Sequence, residues 1–71
     1  MTLQEIFRAN LLAAIRRDGR PIKDIARVSG YSESHVRRMI KGHKPNPSLL
    51  VVQCLAEALG VEPSDMLKAR P

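Results

Sequence analysis

The sequence predicts an all-α fold, a compact bundle of five short helices, from three observations. The 71 residues are 44% hydrophobic but include one Tyr, one Phe and no Trp, so the interior is aliphatic and lacks the aromatic and β-branched alternation of a small sheet. Leu3, Phe7, Leu11 and Ile15 recur four residues apart, on one face of a helix. Gly19, Gly30, Gly42 and Gly60 cut the chain into helix-length pieces. One domain accounts for residues 1–71. A chain of this length buries only about 60% of its unfolded surface, so its core is thin.

The elements follow in order. Thr2 with Glu5 three residues on is a capping-box signature for a first helix over 3–17, and Gly19 closes it after Arg16 and Arg17, cations suited to that end of a helix dipole. Pro21 fits the first turn of a second helix, whose Ile22, Ile25, Ala26 and Ser29 face inward before Gly30. Gly30-Tyr31-Ser32 makes a tight turn, and Ser32 caps a third helix running to Lys41 with Val36, Met39 and Ile40 on its apolar side. Asn46 as cap and Pro47 as first residue open a fourth helix over 47–59. Gly60 ends it, and Glu62 leads a short fifth helix over 63–68.

Net charge is +5, unevenly placed. Residues 1–44 hold ten Lys and Arg against Glu5, Asp18, Asp24 and Glu33, a balance of +6, whereas 45–71 balance at −1. An excess gathered on one part of the chain fits a polyanionic partner better than a merely solubilised surface. The N-terminal residues lack the pattern of a secretory signal, and no apolar run approaches the roughly 20 residues of a membrane span. Cys54 is the single cysteine, so neither an internal disulfide nor a Cys-based zinc cluster can form, and a reducing cytoplasm is expected. His35 and His43, without Cys or paired acids nearby, are a weak metal signal, and no cofactor or small-molecule ligand is expected.

Two short helices around Gly30-Tyr31-Ser32, with Ile25, Ala26, Tyr31, Val36 and Met39 inward, form a helix-turn-helix pattern over residues 22–41. The match extends beyond it. A first helix ending at Gly19, the stretch Asp24-Ile-Ala-Arg-Val-Ser-Gly-Tyr-Ser, then Gly42, Asn46-Pro47-Ser48-Leu49 and Ala58-Leu59-Gly60-Val61 together resemble the lambda-repressor/Cro-like family of small phage and bacterial transcriptional regulators, over roughly residues 5–67. The resemblance implies that helices two and three form a double-stranded DNA-binding unit. It departs from the family at Ile22, where a phosphate-binding Gln is common, and at Ile15 and Ile40, where several relatives have an Arg–Glu pair. Packed aliphatics in place of a buried ion pair can be neutral or stabilising, since no charge is desolvated.

By the family pattern the outer face of the third helix offers Glu33, Ser34, Arg37 and Arg38 to base edges. Arg37 is the leading reader, because a guanidinium matches the two major-groove acceptors of guanine. Glu33 either accepts from a cytosine amino group, favours the helix start, or pairs with Arg37 at i+4. Lys23, Arg27, Lys41, His43 and Lys44 are the expected backbone contacts, which hold register rather than read sequence. His35 stays outside the site as a structural side chain.

Catalysis needs a nucleophile, a base and a closed pocket; Cys54 lies among Leu, Val and Ala with no His close in sequence, and no Gly-rich phosphate loop exists, so no enzyme is expected. The resemblance implies transcriptional control, repression by binding a short inverted-repeat operator as a dimer. The alternatives are an interaction module on the same fold, such as an antitoxin, or the DNA-binding fragment of a longer repressor. On the fourth helix, Leu49, Val52, Leu55, Ala56 and Leu59 take the core face and Leu50, Val51, Cys54 and Ala58 the opposite one. That second stripe predicts a homodimer, unless the fifth or first helix folds over part of it.

Overall fold

The computed structural model describes residues 2–42 and 47–69. Among the described residues four α-helices follow in order, α1 (Leu3–Asp18), α2 (Ile22–Ser29), α3 (Glu33–Lys41) and α4 (Leu49–Leu59), and one 3₁₀ helix (Pro63–Leu67) comes after them. The fifth helix expected over 63–68 is thus one tight turn rather than an α-helix. With Pro63 at its start and only five residues, it cannot develop a run of i→i−4 bonds.

Local chemistry fixes the ends of the helices. Thr2 Oγ1 accepts the Glu5 N–H at 3.2 Å and Glu5 Oε1 accepts the Thr2 N–H at 3.1 Å, the reciprocal capping box that starts α1. Between α2 and α3 the chain reverses at Gly30, whose φ of 86° is a left-handed conformation that a Cβ would disfavour. The Gly30 and Tyr31 N–H groups both donate to the Ala26 carbonyl, at 2.9 and 3.0 Å, so the turn closes on the end of α2. Pro21 is the residue before α2 rather than a member of its first turn. Ser48, not Asn46, caps α4: its Oγ accepts the Val51 N–H at 3.2 Å, and the helix begins two residues later than its apolar pattern implies. Asn46 lies outside the described residues.

Leu11, Ile25, Val36 and Leu55 are fully enclosed, with Phe7, Met39 and Met66 around them, so every element contributes to one core. Ile15 is buried in this cluster and Ile40 is half-buried against it, so both positions are aliphatic parts of the core. Leu3, inward by its spacing, is 58% exposed at the free end of α1.

The burial of α4 departs most from the sequence pattern. Leu49 is 80% exposed, although its phase places it in the core, while Val51 and Ala58 are only 7% and 9% exposed. Of the stripe read as an interface, Leu50 is 62% exposed and Cys54 half-buried. The cause is that α4 packs against α2, α1 and the 3₁₀ helix together, so cover comes from more than one direction. Two polar clasps hold that cover in place. The buried Asn10 amide donates to the carbonyls of Asp65, Met66 and Lys68 at 3.3, 2.9 and 2.8 Å, tying the 3₁₀ helix to α1. Arg20 binds Asp18 and also donates to the Ala58 carbonyl at 2.7 Å, tying the α1–α2 turn to the end of α4.

Candidate nucleic-acid interface

Two residues anchor α3 from below. Val36 and Met39 are 0% and 3% exposed, and at 100° per residue this turns positions 33, 34, 37, 38 and 41 outward. Glu33, Ser34, Arg37, Arg38 and Lys41 are all exposed, so one helix face gathers three cations, a carboxylate and a hydroxyl. Ser32 Oγ accepts the His35 N–H at 3.1 Å and fixes the start of the helix. The turn before it is braced by Tyr31, half-buried, whose ring meets that of His35 edge-on at 5.2 Å and 77°. Burial, with Cys54 beside it, pushes the Tyr31 phenol up, so it stays a neutral strut at ordinary pH.

Arg37 is paired in this structure. Its Nε and Nη2 both donate to Glu33 Oε2, at 3.0 and 2.7 Å, leaving Glu33 Oε1 and Arg37 Nη1 outside the pair. Both side chains are close to half exposed, so such an i,i+4 pair contributes only about 0.3–0.5 kcal/mol and a guanine edge can compete for the guanidinium. On α2, Lys23 and Arg27 are exposed; Arg27 makes a long 3.4 Å pair with Asp24. His43 and Lys44 lie outside the described residues, so of the expected backbone contacts Lys23 and Arg27 on α2 and Lys41 on α3 are the described ones. Among the described residues no three His, Cys, Asp or Glu side chains gather as metal ligands, and no helix is long and apolar enough to cross a membrane.

Residues 12–66 match the family described as Helix-turn-helix, more than half the chain and all of the α2–turn–α3 unit just described. The chain belongs to the lambda-repressor/Cro-like helix-turn-helix family. No match was found among curated proteins or among solved structures. Membership makes this a DNA-binding helix-turn-helix domain, and the second helix of such a motif is the one that enters the major groove.

Three side chains that position this helix-turn-helix domain have no counterpart in the sequence reading. They are Asn10 and Arg20, the two clasps, and Arg8, whose Nε donates to the Ile40 carbonyl at 2.6 Å from the exposed side of α1. Each bonds a backbone carbonyl far along the chain, a partner that leaves no mark in residue spacing. The Asp18 carboxyl does carry a local signal, Arg20 two residues on, and that guanidinium holds it below the usual carboxylate range.

Proposed function

We propose that this domain is a sequence-specific regulator of transcription that binds a short inverted-repeat operator on double-stranded DNA and represses from it, in the cytoplasm of a bacterium or phage-infected cell. The observation that carries the reading is the α3 face, where Arg37, Arg38 and Lys41 project from a helix held by Val36 and Met39. In the roles we assign, Arg37 reads bases with Glu33, Ser34 and Arg38 beside it. Lys23, Arg27, Lys41, His43 and Lys44 neutralise phosphates.

Two copies would bind the two half-sites. The support for a dimer is the N-terminal end of α4, where Leu49 and Leu50 are 80% and 62% exposed. Leu49 and the exposed Leu3 line a shared groove of about 420 Å³ with Phe7, Pro47, Val52 and Leu67, all uncharged. In a chain of net charge +5 this is a place where two copies can meet without bringing like charges together. Val51 and Ala58, enclosed within the chain, take no part, so the interface we propose centres on Leu50 and Leu49, with Cys54 at its margin.

The reading is tested by the salt dependence of duplex binding, because each phosphate neutralised releases counterions. With 6–10 phosphate contacts the plot of log affinity against log salt should slope by roughly −5 to −9. A flat plot, or no binding to any duplex at low salt, contradicts it.

A further inference from the structure

We propose that Arg8 is a positioning residue for DNA binding: from α1 it fixes the last turn of α3, and with it Arg38 and Lys41, in the conformation that meets the phosphate backbone. The proposal rests on the interface described above and adds a residue from outside the helix-turn-helix.

A helix leaves the carbonyls of its last turn without partners inside the helix, and that turn frays unless something else satisfies them. At the end of α3 the Gly42 N–H takes the carbonyls of Arg38 and Met39. The next carbonyl, that of Ile40, is taken by Arg8 Nε at 2.6 Å, a bond spanning 32 positions of the chain. A guanidinium there also places a positive charge at the negative end of the α3 dipole. The contact is broader than one bond, since Arg8 Nε, Cζ and Cδ lie 3.6–3.7 Å from where a Cβ on Gly42 would stand. The guanidinium therefore rests on the backbone of the very turn that ends the recognition helix, where φ is +81°. Together with Phe7, Met39 and Pro47, Arg8 and Gly42 line a notch between α1 and the end of α3, so the exposed side chain lies along that notch.

Arg38 and Lys41 stand on this same turn. If it frays, the binding-competent conformation is a fraction of the population, and apparent affinity falls by that fraction whatever the DNA sequence. Arg8 raises the fraction without itself touching a phosphate. A direct contact would instead remove about one unit of salt slope when lost.

The test uses the full chain with Arg8→Met, which keeps an apolar stem and removes the donor and charge, and Arg8→Lys, which keeps a cation. Helicity by circular dichroism at the assay temperature identifies folded variants, and should Arg8→Met not fold, Arg8→Ala takes its place in every comparison below. Arg8→Met is expected to bind selected and random duplexes about three- to tenfold more weakly, with the salt slope moved by less than half a unit, and Arg8→Lys to recover most of the loss. The proposal is overturned if folded Arg8→Met binds like the natural chain, if its slope falls by a full unit, or if Arg8→Lys is no better than Arg8→Met. Failure of the natural chain to bind any duplex would instead defeat the interface on which the proposal stands.

Discussion

In the roles proposed above, Arg37 reads bases and Lys44 holds a phosphate, and their replacement separates the two kinds of work. Arg37 projects from the α3 face beside Glu33, and its removal deletes a fork suited to guanine. Arg37→Ala is expected to cost about 1–3 kcal/mol on the preferred operator and little on random DNA. Lys44→Ala should weaken both alike and flatten the salt slope by about one unit. Titration of both variants on the two duplexes checks this, and a sequence-selective Lys44 with an indifferent Arg37 would invert the assignment. Helical periodicity made the exposed members of α3 legible, because burying Val36 and Met39 leaves only one face for Arg37, Arg38 and Lys41. The Glu33–Arg37 pair was legible as one of three alternatives, since i,i+4 spacing permits it without requiring it. Arg8 was not legible at all, because its acceptor is a backbone carbonyl 32 positions away.

At the scale of elements, the join between α1, α2 and α4 depends on ionised Asp18. Arg20 donates to both Asp18 oxygens, at 2.7 and 2.9 Å, while its Nη2 also reaches the Ala58 carbonyl. The carboxyl is held below its ordinary value of 3.8 by that guanidinium, so its contribution to folding is present above pH 3.8 and is lost as pH falls through the lower folded value. Glu5, lowered by its bonds to Thr2, acts with the same sign at the start of α1. Denaturant unfolding between pH 2 and 6 should therefore show acid destabilisation that is shallower in Asp18→Asn; an unchanged pH profile in that variant would contradict the clasp. The ends of α1, α2 and α3 could be read because capping is local: Thr2 with Glu5, Ser32, and the glycines all act within a turn of their own positions. The start of α4 is ambiguous in the sequence because Asn46 and Ser48 are both acceptable caps, and Ser48 is the one whose hydroxyl meets an N–H of α4. The last helix proved to be a 3₁₀ turn held by Asn10, a contact made across the fold and invisible in the residues it holds.

For the whole molecule, the burial of α4 decides how two copies can meet. The helical wheel divided α4 into a core face and an opposite stripe, but cover from α2, α1 and the 3₁₀ helix encloses Val51 and Ala58 and leaves Leu49 in solvent. Which face of a short central helix stays wet depends on where the chain returns, and periodicity alone carries no such information. Leu50→Arg places a charge on the exposed end of α4 without touching the core. Sedimentation and circular dichroism should show a helical monomer that binds the full operator weakly, and a persistent dimer would remove Leu50 from the interface. The proposed dimer would span two half-sites about 34–36 Å apart, 10–10.5 base pairs centre to centre. The most direct measurement is selection of bound duplexes from a random DNA pool by the natural chain. Enrichment of a short inverted repeat with half-sites at that spacing is the predicted result, and a pool that emerges without any enriched sequence would contradict sequence-specific recognition by α3.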